Sequence, residues 1–140
     1  MATTMGKVEQ ADRMSRQRAM LATIIGIAIF ATMGVHAFAF APWMTFLWMA
    51  DLTLGFFMIL YVSFFLKREQ GELVDDELSR SNRHRALAAG FWAGLAAVAI
   101  GFVSLQYEAF APDGLLRVVA SVMIGGALLR FGALERKALG

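Results

Sequence analysis

From Ala19 to Leu66 the chain runs through 48 residues with a single charged side chain, Asp51. No other feature narrows the possible folds as much. The hydrocarbon core of a bilayer is about 30 Å thick and takes about 20 helical residues to cross. The stretch is therefore two spans joined by a tight turn, and both must be helical, because lipid offers no partner to an open backbone N–H or C=O. The joint falls at Ala41-Pro42-Trp43. Proline lacks an N–H and is best tolerated at the first helical position, so Pro42 opens the second span. The spacing predicts span one over residues 19–41 and span two over 42–66.

Residues 67–85 carry ten Lys, Arg, Asp or Glu side chains together with His84, and belong outside the hydrocarbon. Span three, 86–105, is uncharged throughout. Gln106–Gly114 contains Glu108, Pro112 and Asp113 and reads as a loop. Span four is predicted over 115–134, with Arg117 and Arg130 reaching from its two ends toward the interfaces. The expected fold is all-α: a single transmembrane domain over 19–134, four helices in an antiparallel bundle, with a polar N-terminal segment (1–18) and a C-terminal tail (135–140). A cleaved leader is the competing reading, since Ala37-Phe38-Ala39-Phe40-Ala41 has the small-x-small form of a cleavage site. The apolar run before it is longer than the 7–15 residues or so of a signal core.

Composition agrees. Of 140 residues, 59% are hydrophobic and 17% charged, with a mean hydropathy of +0.60. Soluble domains sit near 45–50% and about 25%, so an ordinary soluble enzyme is excluded. The absence of cysteine excludes thiol redox chemistry, disulfide scaffolds, iron–sulfur clusters and zinc fingers.

Basic residues favour the cytoplasmic side of a membrane. Lys7, Arg13, Arg16 and Arg18 precede span one; Lys67, Arg68, Arg80, Arg83 and Arg85 lie between spans two and three; Arg130, Arg136 and Lys137 close the chain. Four spans put these 12 of the 13 basic residues on one side and leave Arg117 on the other. The expectation is a multi-pass inner-membrane protein with both termini in the cytoplasm. Trp43, Trp48, Tyr107 and Phe110 then fall near the outer interface, where amphipathic rings settle. Topology accounts for the net charge of +2, and no nucleic-acid partner is needed.

Asp51 is the one carboxylate inside a span. An isolated charge there is expensive, so Asp51 is expected to meet His36 or Arg117, which lie at similar depth counted from the outer turns. A proton- or cation-sensing site and a purely structural polar contact are both compatible with His36, Asp51 and Arg117. The two histidines, His36 and His84, fall on opposite sides of the membrane, so they cannot ligate one heme or metal. No nucleophile–base pair is visible, and the sequence implies no enzyme activity and no cofactor.

Span three carries small residues at spacings of four: Ala86, Gly90 and Gly94 on one stripe; Ala89, Ala93, Ala97 and Gly101 on the next. Small side chains let helix backbones approach closely. These stripes serve either a homodimer seam or packing within the bundle. The nine methionines and Phe56, Phe57, Phe64 and Phe65 read as lipid-facing filler.

The segment before span three is the most distinctive polar text. Asp75, Asp76 and Glu77 come first, and Arg80, Arg83 and Arg85 follow, an order that suits a helix dipole. Asp75 suits an N-cap, so span three is expected to start as a helix two to three turns outside the membrane. Such a face serves as a solvated helix start or as a docking surface for a cytoplasmic partner. The pattern Asp-Glu-x-x-Arg-x-Asn-x-x-x-Ala, from Asp76 to Ala86, leading directly into an apolar span, resembles one found in small bacterial four-span membrane proteins of uncharacterised families. The likeness covers about eleven residues and the hairpin layout, with Leu78 where that pattern often has Arg or Thr. Some of those proteins are encoded beside small helix-turn-helix regulators, and the resemblance implies a membrane-bound regulatory role. Small multidrug transporters share the size and span count but depend on an acid in span one, which is missing here.

The functional expectation is a non-enzymatic membrane protein that binds or regulates a partner through its charged cytoplasmic loop. The alternatives are a small oligomeric ion or drug transporter or channel using Asp51 and His36, and an accessory subunit of a larger membrane complex. The bilayer itself, a protein at the cytoplasmic face and a second copy of the chain are the expected partners.

Overall fold

The computed structural model of the protein describes residues 2–38, 42–65, 77–106 and 112–138. They form four helices: α1, Ala2–Phe38; α2, Pro42–Leu60, continued by one π-helical turn over Tyr61–Phe65; α3, Glu77–Gln106; and α4, Pro112–Ala138. All four contain a segment long and apolar enough to cross a membrane: Asp12–Val35, Trp43–Ser63, Arg80–Ser104 and Asp113–Ala138. The chain is thus all-α, and the four candidate spans mark a multi-pass membrane protein.

Three boundaries differ from the sequence expectation. Residues 2–18 continue the first span as one helix, so α1 is 37 residues long, or about 55 Å at 1.5 Å per residue. Nearly half of that exceeds the hydrocarbon thickness. The predicted loop over Gln106–Gly114 is shorter, because Gln106 ends α3 and Pro112 begins α4. Pro112 fills the first helical position, as Pro42 does in α2, and Asp113 in the first turn complements the dipole. The tail predicted from residue 135 is helix as far as Ala138. The turn predicted at 39–41 and the expected N-cap Asp75 lie outside the described residues, as do Asp76 and the aromatic residues Tyr107 and Phe110.

Four hydroxyl groups within the spans are satisfied within their own helix. Thr23 donates to the Ala19 carbonyl at 2.8 Å, Thr32 to Ala28 at 2.9 Å, Thr53 to Met49 at 2.8 Å and Ser104 to Ile100 at 2.9 Å. Bonding back by one turn lets an apolar helix carry Ser or Thr without leaving a donor bare in lipid.

Helix α4 is the centre of the assembly. It packs most extensively on α3 and then α1, and touches α2 less; α2 also rests on α1. Buried positions on α4 recur at alternating steps of four and three, through Ser121, Gly125, Leu128, Gly132 and Glu135. That is the period at which one helix face keeps meeting its neighbours. The core comprises Ala22 and Ile29 of α1, Val62 of α2, Ala86 of α3, and Leu128 and Phe131 of α4. Large apolar side chains elsewhere point outward, Phe46, Trp92, Ile100 and Phe102 among them. Apolar exposure on this scale suits a hydrocarbon surround and not water.

Candidate functional site

The first polar group lies toward the start of α2. Trp48 donates its indole N–H to the Ser121 hydroxyl at 2.9 Å, and Ser121 is fully buried. The Arg117 guanidinium lies over the Trp48 ring, 5.8 Å from its centroid. Arg117 and Ser121 are four residues apart and share one face of α4, so Trp48 joins α2 to α4 through both its edge and its face. The expected pairing of Asp51 with Arg117 is not what forms. Among the described residues no ion pair or hydrogen bond reaches Asp51, which is half-buried. Counting from a turn fixes a residue's depth but not its azimuth. Trp48, three residues before Asp51, is the polar side chain that meets α4 here. The His36 side chain lies outside the described residues.

The second group lies about 21 Å away along α4, fourteen residues on at 1.5 Å each. Asn82 of α3 and Glu135 of α4 are both buried, and the Asn82 amide donates to Glu135 Oε1 at 3.5 Å. Arg18 of α1 is buried at the same end and donates to the Ser15 hydroxyl at 2.8 Å. Arg136 of α4 donates to the Thr23 hydroxyl of α1 at 2.6 Å, and Arg83 of α3 donates to the Val62 carbonyl of α2 at 3.1 Å. Side-chain contacts thus join the end of α2, the start of α3 and the end of α4, and reach α1 at Thr23, next to its polar part.

The arginines expected to form one docking surface divide. Arg80 and Arg85 are exposed, with His84 between them, while Arg83 turns inward onto α2. Asp75, Asp76 and the side chain of Glu77 lie outside the described residues.

The small-residue stripes of α3 meet α4. A Cβ at Gly90 would lie 2.5 Å from the Met123 carbonyl oxygen and 2.7 Å from the Ala127 Cβ. Gly94 faces the Met123 side chain and Gly101 faces Leu115, each too closely for a Cβ. Ala93 and Ala97, on the adjoining stripe, are half-buried. The glycines of α3 therefore serve contact within one chain. Residue numbers on α3 fall as those on α4 rise, from Gly101 against Leu115 to Asn82 against Glu135.

Between the end of α2 and α3, with α4 as floor, runs a shallow groove that is partly open to the surroundings. Met58, Ile59, Val62, Leu87, Leu128 and Phe131 are its main apolar walls, and Arg83 stands at its polar end. It exists because α2 and α3 share no substantial contact and because Ala86 and Ala127 are small.

Sequence reasoning assigns no site role to Trp48, Asn82, Glu135 or Arg18. The signal for Asn82 was legible: it stands four residues before Ala86 on the Ala86–Gly90–Gly94 stripe. Glu135 similarly follows Phe131 by four and Leu128 by seven. Among the described residues, no three His, Asp or Glu side chains converge on a possible metal position. No protein-family model matches the chain, and no curated protein or solved structure is detectably similar to it.

Proposed function

We propose that the protein is a non-enzymatic, four-span antiparallel bundle of the inner membrane, with both termini cytoplasmic, that holds a partner protein at its cytoplasmic end. The carrying observation is the gathering of the polar helix ends. Asn82–Glu135 joins the start of α3 to the end of α4, Arg83–Val62 adds the end of α2, and Arg136–Thr23 reaches α1 five residues past Arg18, so the contacts lie beside the three chain segments that hold 12 of the 13 basic residues. These contacts favour a shared side for all three segments, and basic residues select the cytoplasm. On this end Arg80, His84 and Arg85 turn outward from a helix anchored by buried neighbours. Such a face suits acidic side chains, since a guanidinium makes directional paired hydrogen bonds to carboxylates.

The test is purification from native membranes in mild detergent. A soluble protein should be retained by the wild type and lost from the double variant Arg80→Ala, Arg85→Ala, with helix content unchanged. Arg83→Ala is unsuitable for this purpose, because Arg83 holds α2.

One observation favours a second reading, a small transporter using Asp51 and His36. Asp51 is half-buried in a span with no described hydrogen-bond or ion-pair partner, and intramembrane acids often mark ion pathways. Purified protein in vesicles separates the two. A pH-driven flux abolished by Asp51→Asn would end the docking reading.

A further inference from the structure

The groove between α2 and α3 has a polarity that its walls alone do not explain. Along Met58, Ile59 and Val62 on one side and Leu87 on the other it is apolar, and α4 supplies Leu128 and Phe131 beneath. At one end stands Arg83, held to the Val62 carbonyl in the π-helical turn of α2. That end is level with the buried polar residues Asn82 and Glu135, where the apolar part of α3 gives way to charge. We propose that this groove is a lipid site: an acyl chain of an anionic phospholipid lies along it, with the headgroup phosphate beside Arg83.

Three features select this occupant. The groove is open along its side, so its ligand enters from the bilayer. Its walls, Met58, Ile59, Val62, Leu87, Leu128 and Phe131, are apolar side chains that suit a hydrocarbon chain. Among the described residues its lining holds one cation, Arg83, at the polar end, so a ligand apolar along its length and negative at its tip matches it. Basic pockets between spans at the positively charged side of a membrane suit anionic headgroups for the same reason.

The experiment is native mass spectrometry of the purified full chain, offered phosphatidylglycerol and phosphatidylcholine with identical acyl chains. The wild type should retain phosphatidylglycerol about fivefold better, the preference that one nearby basic side chain typically confers. Arg83→Gln should abolish the preference. Arg83→Lys, which keeps the charge, should preserve it even if α2 is held less firmly. Arg85→Gln makes the same charge change on an exposed neighbour and should leave the preference intact. Leu87→Trp fills the groove from a partly exposed wall position and should lower retention of both lipids. Equal retention of the two lipids by the wild type would overturn the proposal. So would a preference lost as fully in Arg85→Gln as in Arg83→Gln, which would place the effect in diffuse surface charge. Retention of neither lipid would mean that the chain itself closes the groove, and would overturn it as well.

Discussion

Gly90 and Gly126 sit on helices that pack together, yet the space around them differs sharply. A Cβ at Gly90 would press on the Met123 carbonyl oxygen, a backbone atom that cannot rotate away, whereas at Gly126 nothing lies within 4 Å. Gly90→Ala should therefore force α3 away from α4 and cost about 1–3 kcal/mol, the usual range for an overfilled core. Gly126→Ala should leave stability unchanged or raise it by up to about 1 kcal/mol, since alanine favours helix. Reversible unfolding in mixed micelles, followed by circular dichroism, measures both, and equal effects would contradict the contact. Ser121→Ala tests a different bond. It leaves the Trp48 indole N–H without its acceptor, and should cost about 0.6–2 kcal/mol, as hydrogen bonds between membrane helices do. It should also shift the emission of Trp48.

At the scale of elements, the two lengths of uncharged chain made the spans legible, because a helix that crosses lipid must be about 20 residues of apolar text. The ends were less legible. Apolar residues flank Pro42 on both sides and mark it as a helix opener, whereas Glu108 and Asp113 around Pro112 read as a loop. The same preference of proline for the first helical turn governs both. Polar residues near the ends of α1, α3 and α4 read as solvated text because a charge count carries no azimuth. Helical periodicity carries it, and it places Asn82 and Glu135 on the buried stripes of α3 and α4. By depth alone Asp51 is expected to meet His36 or Arg117; equal depth does not bring two faces together, and Arg117 lies over Trp48 instead, while the His36 side chain lies outside the described residues. Asn82→Ala removes the amide that Glu135 accepts from at the joint of α3 and α4. Its expected cost is about 1–3 kcal/mol, that of a buried polar group losing a partner. Proteolysis at the start of α3 should accelerate accordingly, and an unchanged cleavage rate would show that the contact carries no stability.

For the whole molecule, one proposed arrangement would link the packing of α4, the distribution of basic residues and the docking proposal: four crossings, with the polar ends of all four helices on the cytoplasmic side. The chain has no cysteine, so a single introduced thiol reports its position without background. Gly71→Cys lies in the charged connection between α2 and α3, and Asp113→Cys lies in the exposed first turn of α4. In intact cells a membrane-impermeant thiol reagent should label Asp113→Cys at once and Gly71→Cys only after the cells are opened. Labelling of both thiols from the same side would contradict the four-crossing arrangement and the cytoplasmic docking end with it.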